Sequence, residues 1–488
     1  MTEIMVRGAN WIGDAVMTLP ALAAVRAHFP QARLTVLTRP WAAGIYQAQA
    51  GVAQVITYEP DGRHRGLAGA LAMTRELARF DLALLFQNAF SAALFPALAR
   101  VPERWGYARD GRGWLLTRAV RPKPLDLAVH QVFYYLNLLE KLGLPAPYRA
   151  PALGLNEAAQ AEAGALLKPL GPGPYLALAP GAAFGPAKRW PEAAFARAAR
   201  LILGPRPGGT VILGGAEEAP IAARLAKILP QPNLNLAGRT SLPTAMTVLS
   251  RAGLLLTNDS GLMHLGGALG VPLVAVFGPT DPDSTAPLGR SRLIRSRAAC
   301  APCQKRVCPL DRQICFDEIT PEAAAETALE FLESLEMPAR GGEAVFIDPE
   351  GVLADGGTGG APPGVLRPGA AEALAALTRQ GRIIFLGGPP DEALRTLLIE
   401  GGVKPEALCF QAEQTGGSRR AADTLAMDLD RSIWISGRPE TLAPASLPGA
   451  RSILIPQNPC RRRTGEKIAV PPTLTAPDLK RAVEWILA

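Results

Sequence analysis

The chain of 488 residues is too long for a single hydrophobic core, and its length predicts roughly three domains. Hydrophobic residues make up 48% and charged residues 19%, which indicates a soluble globular protein. The net charge of +8 fits an anionic small molecule, an acidic glycolipid or a membrane surface better than a nucleic acid, for which no binding module is recognised. Neither a signal peptide nor a membrane-spanning segment is predicted. With only six cysteines, a cytoplasmic location is the default expectation.

The N-terminal third alternates short apolar runs with helical patterns. Between the first two runs, the apolar spacing predicts a helix that ends at Pro30. The apolar stretch 89–99 is too short to span a bilayer and contains Pro96, so it predicts a buried or interfacial helix. The β-α-β alternation predicts a parallel sheet covered on both faces. The predicted strands are 3–7, 33–38, 53–58 and 81–86.

A second alternating series follows the Pro- and Gly-rich segment 167–175, which is predicted to be a hinge. Two doubly wound domains facing each other would form a cleft at the carboxyl ends of both sheets, where ligands bind in open α/β folds. A third α/β unit is predicted to run to the C-terminus. The predicted domains are 1–168, 169–337 and 341–488. The strands predicted for the second and third series are 175–180, 210–215, 253–259, 272–278, 344–348, 382–388, 432–437 and 452–456.

The stretch RGANWIGDAV near the N-terminus predicts a strand, a glycine-containing loop and then a helix. Gly8 and Gly13 would let the backbone approach a ligand closely, because neither carries a Cβ. Asp14 falls in the first turn of the helix, where the helix dipole favours a negative charge. Two interpretations are open: Asp14 only caps the helix, or it faces the cleft as a general base.

The stretch LLLTNDSGLMHLGG predicts a strand that ends at Thr257, a turn through Asp259, and a helix that begins near Ser260. The free N–H groups of that helix end suit a diphosphate, and Gly261 permits close approach. Ser260 is also a good N-cap, so simple capping is the alternative. A lone helical histidine such as His264 is more often structural than functional.

Two further loops follow strand ends of the second series. In PGAAFGPAKRWP, the two cations Lys188 and Arg189 are suited to neutralise a leaving diphosphate, although on an open surface they would only be solvated. In GGAEEAP, Glu217 is placed to bind ribose or sugar hydroxyls, or equally to cap the next helix. Because all these motifs fall at predicted strand ends, we expect them to converge on one cleft.

Together, GDAVMTLPAL, PGAAFGPAKRWP, NDSGLMHLGGALG and FGPTDP resemble glycosyltransferase family 9, the ADP-heptose:lipopolysaccharide heptosyltransferases, over about residues 3–335. The resemblance implies a GT-B fold, an ADP-heptose donor, an acceptor in the lipopolysaccharide inner core, and inverting transfer without a metal. By position, Asp14 matches the family's catalytic base and Lys188 its basic residue at the donor diphosphate. The implied donor-binding residues are Gly13, Lys188, Glu217, Asp259, Ser260, Gly261 and His264.

The same resemblance implies a lipid-linked acceptor that ends in Kdo or heptose. We therefore expect a cytoplasmic protein in peripheral contact with the inner face of the inner membrane. Basic residues of the first domain are expected to meet the acceptor's phosphates and carboxylates, although each is also typical of a solvated surface. The candidates are Arg63 and Arg109, together with Arg65, Arg104 and Arg112.

The segment CAPCQKRVCPLDRQIC spaces four cysteines as C-x2-C-x4-C-x6-C, at positions 300, 303, 308 and 315. Four cysteines so close together are able to hold zinc. Reduced thiols and a local disulfide are the alternatives, and the spacing does not decide among the three.

The stretches AVFIDPEGVLAD and RPGAAEALAALTRQGR resemble the haloacid dehalogenase phosphatases, above all their heptose bisphosphate phosphatase branch. Asp348 keeps the place of the attacking aspartate, but Glu350 replaces the acid/base aspartate. Gly387 or Gly388 stands where Ser or Thr usually ends the second motif, and Arg438 lies where a Mg²⁺-binding aspartate is lacking. We therefore interpret the C-terminal domain as HAD-like but degenerate.

Three functions compete at this point. An inverting heptosyltransferase is favoured by the intact Asp14 and Lys188. A bifunctional heptosyltransferase and heptose bisphosphate phosphatase would require a working Asp348. A non-catalytic sugar-nucleotide-binding protein would keep the fold without turnover.

Overall fold

The computed structural model describes residues 2–171, 173–204 and 208–336, and the shorter segments 344–347, 352–353, 366, 369–380, 382–387, 392–404, 408–411, 433–436, 451–454 and 474–487. The chain forms two compact units. The first comprises residues 1–123, 134–280 and 287–325 and contains two six-stranded sheets. The second comprises residues 124–133, 281–286 and 326–488 and contains a third.

The first sheet consists of β1 (Glu3–Arg7), β2 (Arg33–Thr38), β3 (Gln54–Thr57), β4 (Leu82–Leu85), β5 (Glu103–Tyr107) and β6 (Arg118–Val120). All neighbouring strands are parallel, in the order β3-β2-β1-β4-β5-β6. The strand order reverses between β1 and β4, which is where ligands bind in folds of this type.

The second sheet consists of β7 (Leu176–Ala179), β8 (Thr210–Ile212), β9 (Asn233–Asn235), β10 (Leu254–Asn258), β11 (Leu273–Phe277) and β12 (Ser291–Arg295). It repeats the parallel arrangement in the order β12-β11-β10-β7-β8-β9. Its reversal of strand order therefore lies between β7 and β10.

Helices connect the parallel strands, as a parallel sheet requires. Up to residue 336 they are α1 (Ile12–His28), α2 (Ala43–Gln47), α3 (Gly66–Leu77), α4 (Phe90–Leu98), α5 (Pro124–Ala128), α6 (Gln131–Lys141), α7 (Glu157–Leu167), α8 (Glu192–Leu203), α9 (Ala219–Ile228), α10 (Leu242–Ser250), α11 (Gly261–Ala268), α12 (Pro282–Thr285), α13 (Ile314–Asp317) and α14 (Pro321–Glu336). Among the described residues, no helix is both long enough and apolar enough to cross a membrane.

The third sheet consists of β13 (Ala344–Ile347), β14 (Ile383–Gly387), β15 (Leu408–Gln411), β16 (Ile433–Ser436), β17 (Arg451–Leu454) and β18 (Leu474–Thr475). It is also parallel, in the order β15-β14-β13-β16-β17-β18. The helices described in this part are α15 (Ala370–Arg379), α16 (Glu392–Glu400) and α17 (Leu479–Leu487). Asp348, Glu350, Gly388 and Arg438 lie outside the described residues.

The predicted α/β class and its two N-terminal Rossmann-like sheets are confirmed. The prediction was possible because strands that are buried on both faces appear in the sequence as continuous apolar runs. The central strands β1, β4, β7, β10 and β11 are buried along most or all of their length. The predicted helix at 89–99 is present as α4, with Pro96 inside it.

Four strands of these sheets were not predicted from the sequence. Three of them, β6, β9 and β12, lie at sheet edges, and β5 is the neighbour of an edge. Their sequences are short and polar, as in ERWGY and NLN. Edge strands bury less surface, so they need no apolar run that a sequence pattern would reveal.

Candidate functional site

Two glycines let α1 and α11 meet at their N-terminal ends. A Cβ added to Gly13 would lie 2.5 Å from Cδ2 of His264, and one added to Gly261 would lie 2.9 Å from Cβ of Ile12. Close-packed interiors do not tolerate such approaches, so this contact requires glycine at both positions. It joins the helix that follows β1 to the helix that follows β10. The candidate site is formed by these two helix ends and the loops beside them.

Asp14 lies in the first turn of α1 and is partly exposed. Burial is the largest influence on its pKa, which rises from 3.8 to about 6, while Lys188 lowers it and Asp259 raises it. The N-cap position of α1 belongs to Trp11, and within the described part of the chain the Asp14 carboxylate accepts no hydrogen bond. Asp14 is therefore not the N-cap of α1.

Lys188 forms an ion pair with Asp259 in the same site. The lysine Nζ lies 2.5 Å from Oδ2 of Asp259, and the hydroxyl of Thr280 donates a hydrogen bond of 2.7 Å to the same oxygen. The two charged side chains are 13% and 6% exposed, and the ammonium lies 4.8 Å from the ring centroid of Phe184. Because an ammonium has three N–H donors, one bond to Asp259 leaves donors for an incoming anion.

The buried side chain of Asn258 positions the loop that carries Lys188. Its amide Nδ2 donates to the carbonyl oxygen of Pro180 at 2.7 Å, and its Oδ1 accepts from the backbone N–H of Trp190 at 3.1 Å. Asn258 thus fastens both ends of the Lys188 loop to β10. The sequence analysis did not predict this role. An amide side chain at the end of a buried strand could have indicated it, because a buried amide needs hydrogen-bond partners.

Ser260 holds the N-cap position of α11 with an extended backbone, but its side chain caps no helical N–H. Its hydroxyl instead lies 3.3 Å from the hydroxyl of Thr257. The simple capping interpretation of Ser260 is therefore not supported. An anion at this helix end would meet first-turn N–H groups that no capping side chain occupies.

His264 is buried one turn into α11. Its Nδ1 has no hydrogen-bond partner within the described residues, and burial lowers its pKa to about 4. The imidazole is therefore neutral at neutral pH and adds no positive charge to the site. Its ring fills the space that a side chain at position 13 would need.

The two acidic residues after β8 differ in burial and in their contacts. Glu217 is exposed, whereas the adjacent Glu218 is more buried and accepts a hydrogen bond of 2.8 Å from the backbone N–H of Gly215. Burial raises the pKa of Glu218 above its usual range. Glu218 also packs against Gly181, where an added Cβ would lie 2.1 Å from its Oε1. The residue held firmly beside the Lys188 loop is therefore Glu218.

The arginines proposed for the acceptor fall into two groups. Arg63 is half exposed and pairs with Glu59 at 3.4 Å. Arg109 is partly buried, and its side chain donates a hydrogen bond to the hydroxyl oxygen of Tyr134. Arg112 is fully buried: its guanidinium donates to the backbone oxygens of Gln87 and Tyr107. Arg112 therefore holds two loops together, which corrects its interpretation as an acceptor contact.

The four-cysteine segment supports the Lys188 loop. Its thiols are free, which removes the local disulfide, and all four line one cavity of about 140 Å³. Across the part of the chain that the structure describes, no group of three or more His, Cys, Asp or Glu side chains is arranged to hold a metal ion. Within the segment, the guanidinium Nε of Arg306 donates a hydrogen bond of 2.6 Å to the carbonyl oxygen of Phe184. The backbone carbonyl oxygen of Arg306 accepts a hydrogen bond of 3.1 Å from the N–H of Ala187.

Comparison with known proteins places this site in context. Residues 70–314 match the model of glycosyltransferase family 9 (heptosyltransferase). Lipopolysaccharide heptosyltransferase 2 of Salmonella typhimurium is 32% identical over 312 residues, which are 60% of this chain and 88% of that protein. Lipooligosaccharide heptosyltransferase 2 of Haemophilus influenzae is 29% identical over 313 residues, with the same coverage. The solved structure of E. coli ADP-heptose LPS heptosyltransferase II is 28% identical, with a TM-score of 0.57 over 69% of this chain and 100% of that one.

Proposed function

The chain belongs to glycosyltransferase family 9, the heptosyltransferases, and on this premise we propose that it moves heptose from ADP-heptose to the lipopolysaccharide inner core with inversion at the anomeric carbon. One observation carries the proposal. Asp14 on α1 has a raised pKa and is close enough to Lys188 for the ammonium to influence that pKa, and α1 meets α11 through a contact that only glycine permits.

In this reaction Asp14 is the general base. A hydroxyl oxygen of the acceptor attacks the anomeric carbon of the donor, and its proton passes to the Asp14 carboxylate. The bond between that carbon and the diphosphate oxygen breaks at the same time, so ADP leaves with the bonding electrons. A pKa of about 6 supports this role, because the carboxylate is ionised at neutral pH yet binds a proton more strongly than an ordinary aspartate.

Lys188 and the N-terminus of α11 stabilise the departing diphosphate. Negative charge develops on the leaving oxygen, where an ammonium and free backbone N–H groups are most useful. Asp259 and Thr280 hold the lysine in place before the donor arrives. Since these groups supply the positive charge, we expect transfer to proceed unchanged in the presence of a metal chelator.

Each sheet serves one substrate in this proposal. Residues 1–168 bind the acceptor and residues 169–337 bind ADP-heptose. The nucleoside meets the acidic pair after β8, where Glu217 is exposed and Glu218 is held against Gly181. Gly13, Ser260, Gly261 and His264 shape the donor side of the site.

The lipid part of the acceptor determines where in the cell the protein would meet its substrate. We propose that the protein works in the cytoplasm, in peripheral contact with the inner face of the inner membrane, and that Arg63 and Arg109 meet acidic groups of the core. The net charge of +8 supports contact with an anionic glycolipid.

Residues 341–488 are proposed to form a degenerate HAD-like domain without phosphatase activity. The parallel third sheet is compatible with that class of fold. Three departures from the phosphatase motifs together support the loss of activity: Glu350 replaces the second aspartate, Gly387 or Gly388 replaces the Ser or Thr of the second motif, and the aspartate expected beside Arg438 is lacking.

The experiment that tests the proposed function is an assay of ADP release from ADP-heptose with a panel of truncated lipopolysaccharides ending in Kdo or heptose. We expect release with one member of the panel, accompanied by an acceptor heavier by one heptose. Replacement of Lys188 by alanine is expected to lower turnover by roughly 10²–10³-fold. Absence of release with every acceptor would reject the proposal.

A further inference from the structure

Two large indole rings stand half exposed near the N-terminal end of α1, the helix that carries Asp14. Trp11 is 47% exposed and Trp41 is 48% exposed. Exposed tryptophans are costly in water, since each offers a large apolar surface, and such surfaces often mark binding sites. The proposed reaction assigns neither ring a role.

Trp41 is held in a fixed orientation. Its indole N–H donates a hydrogen bond of 2.7 Å to the carbonyl oxygen of Asn10, and the guanidinium carbon of Arg39 lies 4.6 Å from its ring centroid. Arg7 in turn holds the Asn10 side chain with a hydrogen bond of 2.8 Å. The guanidinium of Arg39 lies over the Trp41 ring in a cation–π contact. The exposed 48% of Trp41 remains available to a ligand.

Trp11 lies at the rim of the same site. It is the N-cap residue of α1 and precedes Asp14 by three positions, in the same turn of the chain. The next residue, Ile12, touches Gly261 of α11. Because Trp41 is hydrogen-bonded to the residue just before Trp11, the two tryptophans lie beside the same stretch of backbone, directly before the helix that carries Asp14.

We propose that Trp11 and Trp41 form an aromatic platform on which a sugar ring of the acceptor stacks. The inference rests on the proposed function and adds a binding subsite to it. Pyranose rings present a face of C–H groups that packs on an indole, whereas their hydroxyls stay in water. The acceptor hydroxyl must reach Asp14, so the ring that carries it has to approach the N-terminal end of α1, where Trp11 is the cap and Trp41 bonds to Asn10. Trp11 caps α1 after β1 and Trp41 follows β2, so both lie in the part of the chain that forms the first sheet.

The test compares Trp11→Ala, Trp41→Ala and the corresponding phenylalanine variants in the full chain. Loss of a stacked ring is expected to raise the KM for a deacylated inner-core oligosaccharide about tenfold, in line with the usual strength of ring stacking. The KM for ADP-heptose stays within twofold. The phenylalanine variants fall between wild type and alanine, because they keep a smaller ring. Leu201→Ala on α8, which removes a side chain that is 38% exposed, serves as the surface control and should change neither constant.

Tryptophan fluorescence supplies a second readout that does not depend on turnover. The oligosaccharide alone should change the emission of the wild-type protein, and Trp11→Phe and Trp41→Phe should each remove part of that change among the seven tryptophans. Unchanged acceptor KM in both alanine variants, or an emission change seen only with anionic phospholipid vesicles, overturns the platform. If the wild-type protein releases no ADP, the proposed function fails, and the fluorescence titration still decides on the platform.

Discussion

The desolvated carboxylate of Asp14 should make the rate of transfer depend on pH. Its pKa of about 6 means that the proton-accepting form is lost as the pH falls through 6. We predict that kcat/KM is flat near pH 7.5 and falls about tenfold per pH unit below 6. Initial rates of ADP release from pH 5 to 8 at saturating donor measure this. Rates that stay flat down to pH 5, as for an ordinary aspartate with a pKa near 4, would show that Asp14 is solvated or is not the base.

The same burial predicts that Asp14 destabilises the fold. The folded-state pKa is raised above the unfolded value of 3.8, so ionised Asp14 opposes folding progressively from pH 4 upward and fully above pH 6. The penalty at neutral pH is on the order of 2 kcal/mol after allowance for partial exposure. Asp14→Asn should therefore increase the free energy of unfolding at pH 8, measured with urea, and have little effect at pH 4. A destabilised variant at pH 8 would contradict the raised pKa.

At the level of elements, the α1–α11 contact depends on the absence of a side chain. Gly13→Ala places a methyl group 2.5 Å from the buried His264 ring, so the helix ends must separate. We predict at least a tenfold loss of kcat with the protein still folded, because shifts of about 1 Å in an active site cost up to 10²-fold. Gly164→Ala on α7 is the matched control, since its Cβ would lie 3.5 Å from Arg251 and should be tolerated. Equal activity of the two variants would contradict the account.

Asn258 provides a second prediction at this scale. Asn258→Ala removes both bonds that fasten the Lys188 loop to β10, while the lysine itself remains. We expect the KM for ADP-heptose to rise roughly tenfold with little change in the acceptor KM, as the loss of buried hydrogen bonds costs about 1–3 kcal/mol. Calorimetric titration with ADP measures the donor side directly. Unchanged affinity for ADP would remove Asn258 from the positioning network.

For the whole molecule, local patterns predicted the two N-terminal sheets and the strand ends that carry Asp14, Lys188 and Asp259. Those features depend on apolar runs and turn residues that lie within a few positions of one another in the sequence. The pairing of Gly13 with His264 depends on residues about 250 positions apart, which no local pattern specifies. The burial of Arg112 also escaped prediction, because its guanidinium bonds the backbone oxygen of Gln87, 25 positions away, as well as that of Tyr107.

The C-terminal part gives a prediction for the full chain. If the HAD-like domain is degenerate, the protein should release no phosphate from heptose bisphosphate in the presence of Mg²⁺. Asp348→Asn should leave ADP release unchanged. Phosphate release that disappears in Asp348→Asn would instead support a bifunctional enzyme.

The central claim is that Asp14 takes the proton of the attacking hydroxyl. It is tested most directly by single-turnover heptose transfer with Asp14→Asn at pH 7.5, together with ADP binding by the same protein. We predict ADP affinity within twofold of wild type and transfer slowed by about 10²–10⁴-fold. Transfer at a rate close to wild type, with donor binding intact, would contradict the assignment of the base.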